Sequence, residues 1–336
     1  MEMRTVPDPE IRNDGDVLLK LACVGVCGSD VHYYLRGNIG SQVVKYPFTV
    51  GHECSAIVQA VGKSVTRVRP GDRVAVEPAM SCGTCDQCLC GRPHTCRRLR
   101  FLGCPGQAEG CLAEYLVMPE ACCVPVPPEL SLEMAAFVEP MAIGLYAARL
   151  AGSLKGARIG ILGAGPIGLS VLLSARSLGA QRMYVTDKLE PRLAAAARAG
   201  AAWTGMPGAP DPVQAVSSLE PLLLDTVFEC CGQQSAMDQA AALLKPGGKL
   251  MLIGIPESDR VSLLIDMGRR KELCVQNVRR QCSCVEPAIG LLAGPARDAA
   301  SLVTHRFPFA RTAEAFELVA GYRDGVIKAM IDFGVG

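Results

Sequence analysis

An excess of charge of either sign is missing from this 336-residue chain: 34 Lys and Arg stand against 33 Asp and Glu, a net charge of +1. Without a basic stripe there is no electrostatic footprint for DNA or RNA, so small-molecule partners are favoured. Long apolar runs are missing too. The stretch from Ala135 to Ala148 is interrupted by Glu139 and Pro140, and that from Ile161 to Leu173 is short and broken by glycine, so no segment is expected to span a membrane. The opening MEMRTVPDPE is too polar for a secretory leader, and the chain shows no internal repeat or low-complexity linker. Its seventeen cysteines are therefore not expected to form a secreted disulfide scaffold, and a reduced, cytoplasmic protein is the expectation. Histidine is scarce, with His32, His52, His94 and His305 the four present.

The length exceeds the roughly 250–300 residues at which one hydrophobic core stops growing, so two domains are expected. Up to about Pro140 the chain reads as short valine-rich strands such as Val17 to Val24, Ser55 to Val61 and Arg73 to Val76, with Gly62, Pro70, Gly71 and Asp72 marking turns. That texture predicts a mostly antiparallel β domain. From about Ala142 the pattern alternates: strand Arg158 to Leu162, helix Pro166 to Leu178, strand Met183 to Asp187, helix Pro191 to Ala199. A strand Asp225 to Cys230, a helix Ala236 to Leu244 and a strand Lys249 to Ile253 extend it. Such alternation predicts a parallel sheet with helical crossovers. The expected boundaries are 1–141 for the first domain, 142–277 for the second, and a return of 278–336 to the first.

Three motifs carry chemistry. In SCGTCDQCLCGRPHTC, Cys82, Cys85, Cys88 and Cys96 are spaced to close one tetrahedral zinc shell, a structural site with no open position; Cys90 breaks the spacing and is left out. In ARIGILGAGPIGLS, Gly163, Gly165 and Gly168 form GxGxxG between a predicted strand and a predicted helix. This is the doubly wound Rossmann fingerprint, in which a pyrophosphate sits at the helix N-terminus. Asp187 follows nineteen residues after Gly168, where a carboxylate accepts from the adenosine ribose and repels a 2′-phosphate. NAD is thus favoured over NADP, with Arg192 the feature pointing the other way. Third, Cys27 and His52 offer a thiolate and an imidazole, a pair suited to a catalytic zinc that needs three protein ligands and one open place.

With these motifs, the ordered set VCGSDVHYY, GHE, PGDRVAVEP, VEPMAIGLYAA, GAGPIG, TDKLEPR, KPGGKLMLIG and LVTHRFP resembles the zinc-dependent medium-chain dehydrogenase/reductase superfamily over nearly the whole length. Glu139, in Val138-Glu139-Pro140, points to the sorbitol (polyol) dehydrogenase branch, because alcohol dehydrogenases of the superfamily usually carry a cysteine ligand there. The resemblance implies an α/β protein: a GroES-like, mostly β catalytic domain and a Rossmann coenzyme domain. It also implies two zinc ions, one catalytic and one structural, and oxidation of a secondary alcohol, a polyol or a relative of one, to a ketone with NAD. A homo-oligomer, dimer or tetramer, is implied as well. Carried over residue by residue, Cys27 and His52 bind the catalytic zinc with Glu53 as the adjacent carboxylate. Glu139 ligates directly or holds the water of the ion, both options staying open, and Asp30 orients His52 from behind. Ser29 contacts the substrate hydroxyl and His32 passes its proton towards solvent. Ile167, Arg192 and Arg280 join Gly163, Gly165, Gly168 and Asp187 in binding the cofactor.

The chain departs from the branch at Arg279, Arg280 and Gln281, where polyol dehydrogenases tend to show an aromatic, an arginine and a tyrosine. That change reads either as two solvated arginines on a loop, or as a more polar pocket or added contacts to the cofactor phosphates. Ala56 replaces the usual glycine of GHExxG. Three other readings are a zinc-free quinone-type reductase, a zinc dehydrogenase acting on non-sugar alcohols, and a non-catalytic cofactor-binding protein. The first lacks the cysteine lobe, Cys27 and His52, all of which are present here.

Overall fold

The computed structural model of the chain describes residues 1–208 and 211–335. Strand β1 (Asp16–Gly25) arises from simple alternation: Val17, Leu19 and Leu21 are fully buried, with half-buried Asp16, Leu18 and Lys20 between them. Helix α1 (Gly28–Arg36) follows, then β2 (Glu53–Val61), β3 (Arg73–Val76), β4 (Tyr115–Pro119) and β5 (Cys123–Pro125). Helix α2 (Val138–Leu150) leads into β6 (Arg158–Leu162), α3 (Pro166–Ser177), β7 (Arg182–Thr186), α4 (Glu190–Arg198) and β8 (Trp203–Gly205). Next come β9 (Leu224–Glu229), α5 (Gln234–Leu243), β10 (Leu244–Leu252) and β11 (Cys274–Asn277). The chain ends with β12 (Val303–Pro308), α6 (Thr312–Ala320) and β13 (Lys328–Asp332).

Two compact units result. The first comprises Met1–Glu139, Val285–Gly294 and Val303–Gly336; the second comprises Pro140–Cys284 and Pro295–Leu302. In the first unit a seven-stranded sheet runs β12-β13-β1-β2-β3-β5, with β4 also paired to β1. Its ladders are antiparallel apart from β12 on β13. The C-terminal strand β13 lies beside β1, and β1 therefore changes from alternating burial to complete burial over its second half. The apolar core of this unit gathers Val17, Leu19, Leu21, Val58 and Val74 from the sheet and Phe316 from α6.

The second unit is a six-stranded parallel sheet in the order β8-β7-β6-β9-β10-β11. Its strands are nearly continuous apolar runs, as crossovers on both faces demand: Ile159, Ile161, Val185, Val227 and Phe228 are all inaccessible. The strand order reverses between β6 and β9, which is where open sheets of this kind bind ligands, beyond the carboxyl ends of the strands.

The elements expected from the sequence are present with ends shifted by a residue or two, except that β10 starts at Leu244 rather than Lys249. In the parallel sheet two further strands, β8 and β11, were not anticipated, nor were the helices Pro212–Leu219 and Ile265–Arg270 of that unit. The chain returns to the first unit at Val285, later than position 278, because the segment after β11 stays with the parallel sheet: Arg149 donates to Cys284 Sγ at 3.7 Å. Pro295–Leu302 rejoins the second unit, held by the Arg176–Asp298 ion pair at 2.8 Å and by Arg176 donating to Pro295 O. Among the described residues no helix is long and apolar enough to cross a membrane.

Phe316 is fully buried and stands edge-on to Tyr34, with ring centroids 5.7 Å apart. Phe316→Ala is expected to destabilise the first unit by about 3–5 kcal/mol through lost burial and a residual cavity. Denaturant unfolding followed by circular dichroism measures this, and a loss under about 1 kcal/mol would contradict the packing.

Candidate metal and cofactor sites

The cysteine lobe brings four sulfurs together. The Sγ atoms of Cys82, Cys85, Cys88 and Cys96 all lie within 4.8 Å of one another. A tetrahedron of Zn–S bonds about 2.3 Å long has edges of about 3.8 Å. The separations here are 4.0 Å for Cys82–Cys88, 3.6 Å for Cys85–Cys88 and 3.8 Å for Cys85–Cys96, so the cage has the dimensions of zinc. Two of its donors are lowered towards the thiolate, since the Thr84 N–H holds the Cys82 thiol down at about 5 and the Arg97 N–H lowers that of Cys85, while burial pushes the Cys88 thiol up to about 11. Backbone N–H groups of Cys82 and Arg98 point at Cys96 Sγ, at 3.3 and 3.4 Å. Cys90 turns away and donates to Gln87 O at 3.3 Å.

A second group, Cys27, His52 and Glu53, also places its ligand atoms within 4.8 Å of one another. Local structure explains how. Cys27 is the N-cap of α1, where its side chain accepts from the N–H of Asp30 while the Asp30 carboxylate accepts from the Cys27 N–H at 3.4 Å, a reciprocal capping box. The other oxygen of Asp30 accepts from the Gly51 N–H at 3.2 Å and lies 3.4 Å from His52 Nδ1. With Nδ1 engaged by the carboxylate, Nε2 is the nitrogen left for an ion. Phe101 packs on the imidazole at 5.4 Å between centroids. Burial opposes a charged imidazole, but Asp30 and Cys27 prevail and hold the His52 pKa well above its ordinary value.

Glu53 has a partner that sequence reading missed. Lys328 on β13 is 1% exposed, and its Nζ donates to Val26 O at 3.0 Å and to Glu53 Oε2. No pattern around Lys328 signals this role, because its partner is 275 residues away in sequence. Glu139, in the first turn of α2, is buried and lies within electrostatic reach of His52, Glu53 and Lys328, outside the three-ligand group. Burial pushes its carboxyl up to about 8, against the opposing pull of His52. Ser29 Oγ donates to Cys27 Sγ at 3.3 Å, and His32 is half-buried one turn further on, at the i,i+3 spacing that shares a helix face.

In the second unit the glycine turn joins β6 to α3. Gly163 has φ 104°, and a Cβ on Gly168 would overlap the Gly163 carbonyl oxygen, so helix and strand meet at glycine alone. Asp187, just past β7, accepts from the Ala164 N–H at 2.7 Å and the Leu189 N–H at 2.9 Å, which sets its carboxylate against the turn with acceptor capacity to spare. Ile167 is half-buried in the first turn of α3, and Arg192 Nη1 lies 3.5 Å from where a Gly165 Cβ would stand. Arg280, at φ 53°, follows β11 on the same carboxyl edge of the sheet.

Comparison with known proteins accords with this arrangement. Residues 13–128 match the alcohol dehydrogenase GroES-like domain and residues 166–293 match the zinc-binding dehydrogenase domain. Sorbitol dehydrogenase of Bacillus subtilis (strain 168) is 35% identical over 333 residues, covering 98% of this chain and 94% of the relative. The chain belongs to the zinc-dependent medium-chain dehydrogenase/reductases, in their sorbitol-dehydrogenase-like branch. Another member, L-idonate 5-dehydrogenase of Vitis vinifera, is 34% identical over 325 residues, 94% of this chain and 88% of that one. The crystal structure of a putative zinc-binding dehydrogenase from Sinorhizobium meliloti 1021 bound to NADP superposes with a TM-score of 0.90 at 30% identity, covering 98% of this chain and 95% of that one. As a medium-chain dehydrogenase, this chain is an oxidoreductase that uses zinc and a nicotinamide dinucleotide.

Removing the cation beside Glu53 should be costly, because a buried carboxylate then has no counter-charge. Lys328→Met is expected to lower stability by about 3–5 kcal/mol in metal-free protein, measured by urea unfolding. Restoration of near-native stability in Lys328→Met with Glu53→Gln would attribute the loss to the stranded charge; an unchanged single variant would refute the pairing.

Proposed function

We propose that the chain oxidises a polyhydroxylated secondary alcohol to a ketone with NAD, at an open zinc shell made by Cys27, His52 and Glu53. The observation that carries this is the contrast between two clusters: four thiols that close a tetrahedron, and three mixed ligands beside a buried carboxylic acid. Bound zinc supplies positive charge that acidifies a hydroxyl, and NAD takes up the hydride. Asp30 fixes the imidazole tautomer, and Lys328 holds one oxygen of Glu53, leaving the other to face the shell. Glu139 is placed to orient a hydroxyl or water beside the shell. Ser29 Oγ receives the substrate proton, and His32, one helical turn on, passes it to solvent. The relatives named for sorbitol and L-idonate support a polyol, and the Glu139 position supports the same branch. Asp187, with an acceptor site open towards a ribose hydroxyl, favours NAD over NADP.

We further propose a cytoplasmic homo-oligomer, a dimer or tetramer. All seventeen cysteines are free, which suits a reducing compartment. The outer edge of β11 is an unpaired strand edge among the described residues, with Val275 exposed on it, and Val261, Leu263, Leu264 and Ile265 are exposed in the segment before it. Light scattering on the purified protein gives the subunit number, and a monomer at micromolar concentration would end this part.

Elemental analysis is expected to give two zinc ions per chain, with one lost first to chelator as activity disappears. One zinc in fully active protein would exclude the two-site reading. Polyols with vicinal hydroxyls should be better substrates than ethanol, and Glu139→Ala should fold, bind NADH and lose turnover about 10–100-fold. A preference for ethanol, or near-native turnover in that variant, would overturn the polyol assignment. Asp187→Ala should narrow the ratio of kcat/KM for NAD over NADP, and equal efficiency with both in the unmodified enzyme would remove the argument.

A further inference from the structure

A carboxylate that no step above uses lies at the centre of the parallel sheet. Glu229 is the last residue of β9, 0% exposed, paired with Leu162 at the end of β6 on one side and with Leu252 at the end of β10 on the other. It therefore stands at the point where the strand order reverses, beneath the crevice that binds dinucleotides in sheets of this order. An ionisable group at 0% exposure is costly to keep unless its hydrogen bonds are made. Its Oε1 takes three donors: the Cys231 N–H at 2.9 Å, the Gly232 N–H at 2.6 Å and the Cys231 thiol at 3.0 Å. Its Oε2 is buried without a hydrogen-bond partner.

The three donors all belong to the loop that leaves β9. That loop is packed against the two other loops on the same edge. On one side, a Cβ on Gly163 would stand 3.1 Å from Cys231 Cβ and 3.2 Å from Cys230 C, so the glycine turn rests directly on it. On the other, a Cβ on Gly232 would stand 2.5 Å from Ile255 O, and one on Gly254 would overlap the Gly232 nitrogen and come 2.7 Å from Glu229 Oε2. The main chain closes the same joint, since Ile253 N–H and Gly254 N–H both donate to Glu229 O, at 2.9 and 3.0 Å.

We infer that Glu229 is a positioning residue for the nicotinamide half of the cofactor, acting through the loops after β9 and β10. The inference rests on NAD being the cofactor, as proposed above. A dinucleotide crosses the switch point with one nucleotide over each half of the sheet. Asp187 follows β7 and serves the adenosine side; the loops gathered by Glu229 follow β9 and β10 and form the other side. Loss of the carboxylate releases the Cys231 and Gly232 N–H groups, and the second half of the seat loses its shape while the first keeps Asp187 and the glycine turn.

The test compares binding of NADH with binding of AMP by calorimetry, in wild type, Glu229→Ala, Glu229→Gln and Gly254→Ala, each checked for fold by circular dichroism. Glu229→Ala should weaken NADH more than tenfold and leave AMP within twofold. Glu229→Gln, whose amide oxygen still accepts the same three donors, should stay within about threefold of wild type for both ligands. Gly254→Ala, which keeps the carboxylate but sets a methyl group against the Gly232 nitrogen and 2.7 Å from Glu229 Oε2, should reproduce the selectivity of Glu229→Ala. Equal loss of AMP and NADH in a folded Glu229→Ala protein would reduce Glu229 to general support of the sheet and overturn the inference. So would wild-type NADH affinity in that variant, or a Gln variant as weak as the Ala one. Failure of the unmodified enzyme to bind NADH would instead strike at the cofactor assignment.

Discussion

One carboxylate organises the group of Cys27, His52 and Glu53 that we propose as the open metal shell. Asp30 is 0% exposed and makes three contacts on two pieces of chain: the Cys27 N–H at the start of α1, and the Gly51 N–H and His52 Nδ1 before β2. Each contact satisfies a buried donor, and together they bring a thiol and an imidazole to one point although the two residues are far apart in sequence. An amide of the same length could offer one oxygen to the Gly51 N–H and His52 Nδ1. It could not also accept from the Cys27 N–H, because its second polar atom is a donor and that contact needs the other carboxylate oxygen. The positions of Cys27 and His52 are thus consequences of one anion.

The legibility of the chain follows the range of the forces involved. Cys82, Cys85, Cys88 and Cys96 could be read because their spacing is local, and the glycine turn could be read because the positive φ of Gly163 and the contact of Gly168 with the Gly163 carbonyl are local demands. Strands such as β6 and β7 are visible as apolar runs flanked by turns. β8 and β11 are three and four residues long, too short to show a period, and exist by pairing with neighbours rather than by propensity. The early start of β10 at Leu244 was hidden by Pro246 and Gly247, residues that read as a loop.

Lys328 and Glu229 mark where sequence reasoning runs out. Both are charged residues at the end of a strand, and from sequence alone each could be assigned to a solvated strand end. Lys328 is resolved only when β13 is set beside β1, and Glu229 only when three loops converge on it. In both cases the side chain answers to groups distant along the chain, and no window of residues contains the reason for its identity. The two units differ in this respect: the parallel sheet is contiguous apart from Pro295–Leu302, while the first unit draws on both ends of the chain.

That division sets an order on biosynthesis. Glu53 is made first, but the ammonium that neutralises it belongs to β13 and is made 275 residues later. Until then a buried-to-be carboxylate, and the strand β1 that β13 covers, must wait in a solvated and incomplete sheet. The parallel sheet between them can meanwhile close on contacts of its own. Until β13 is made, the nascent chain therefore carries a parallel-sheet unit able to close and a first unit that is not, and the proposed shell of Cys27, His52 and Glu53 is completed only when Lys328 arrives.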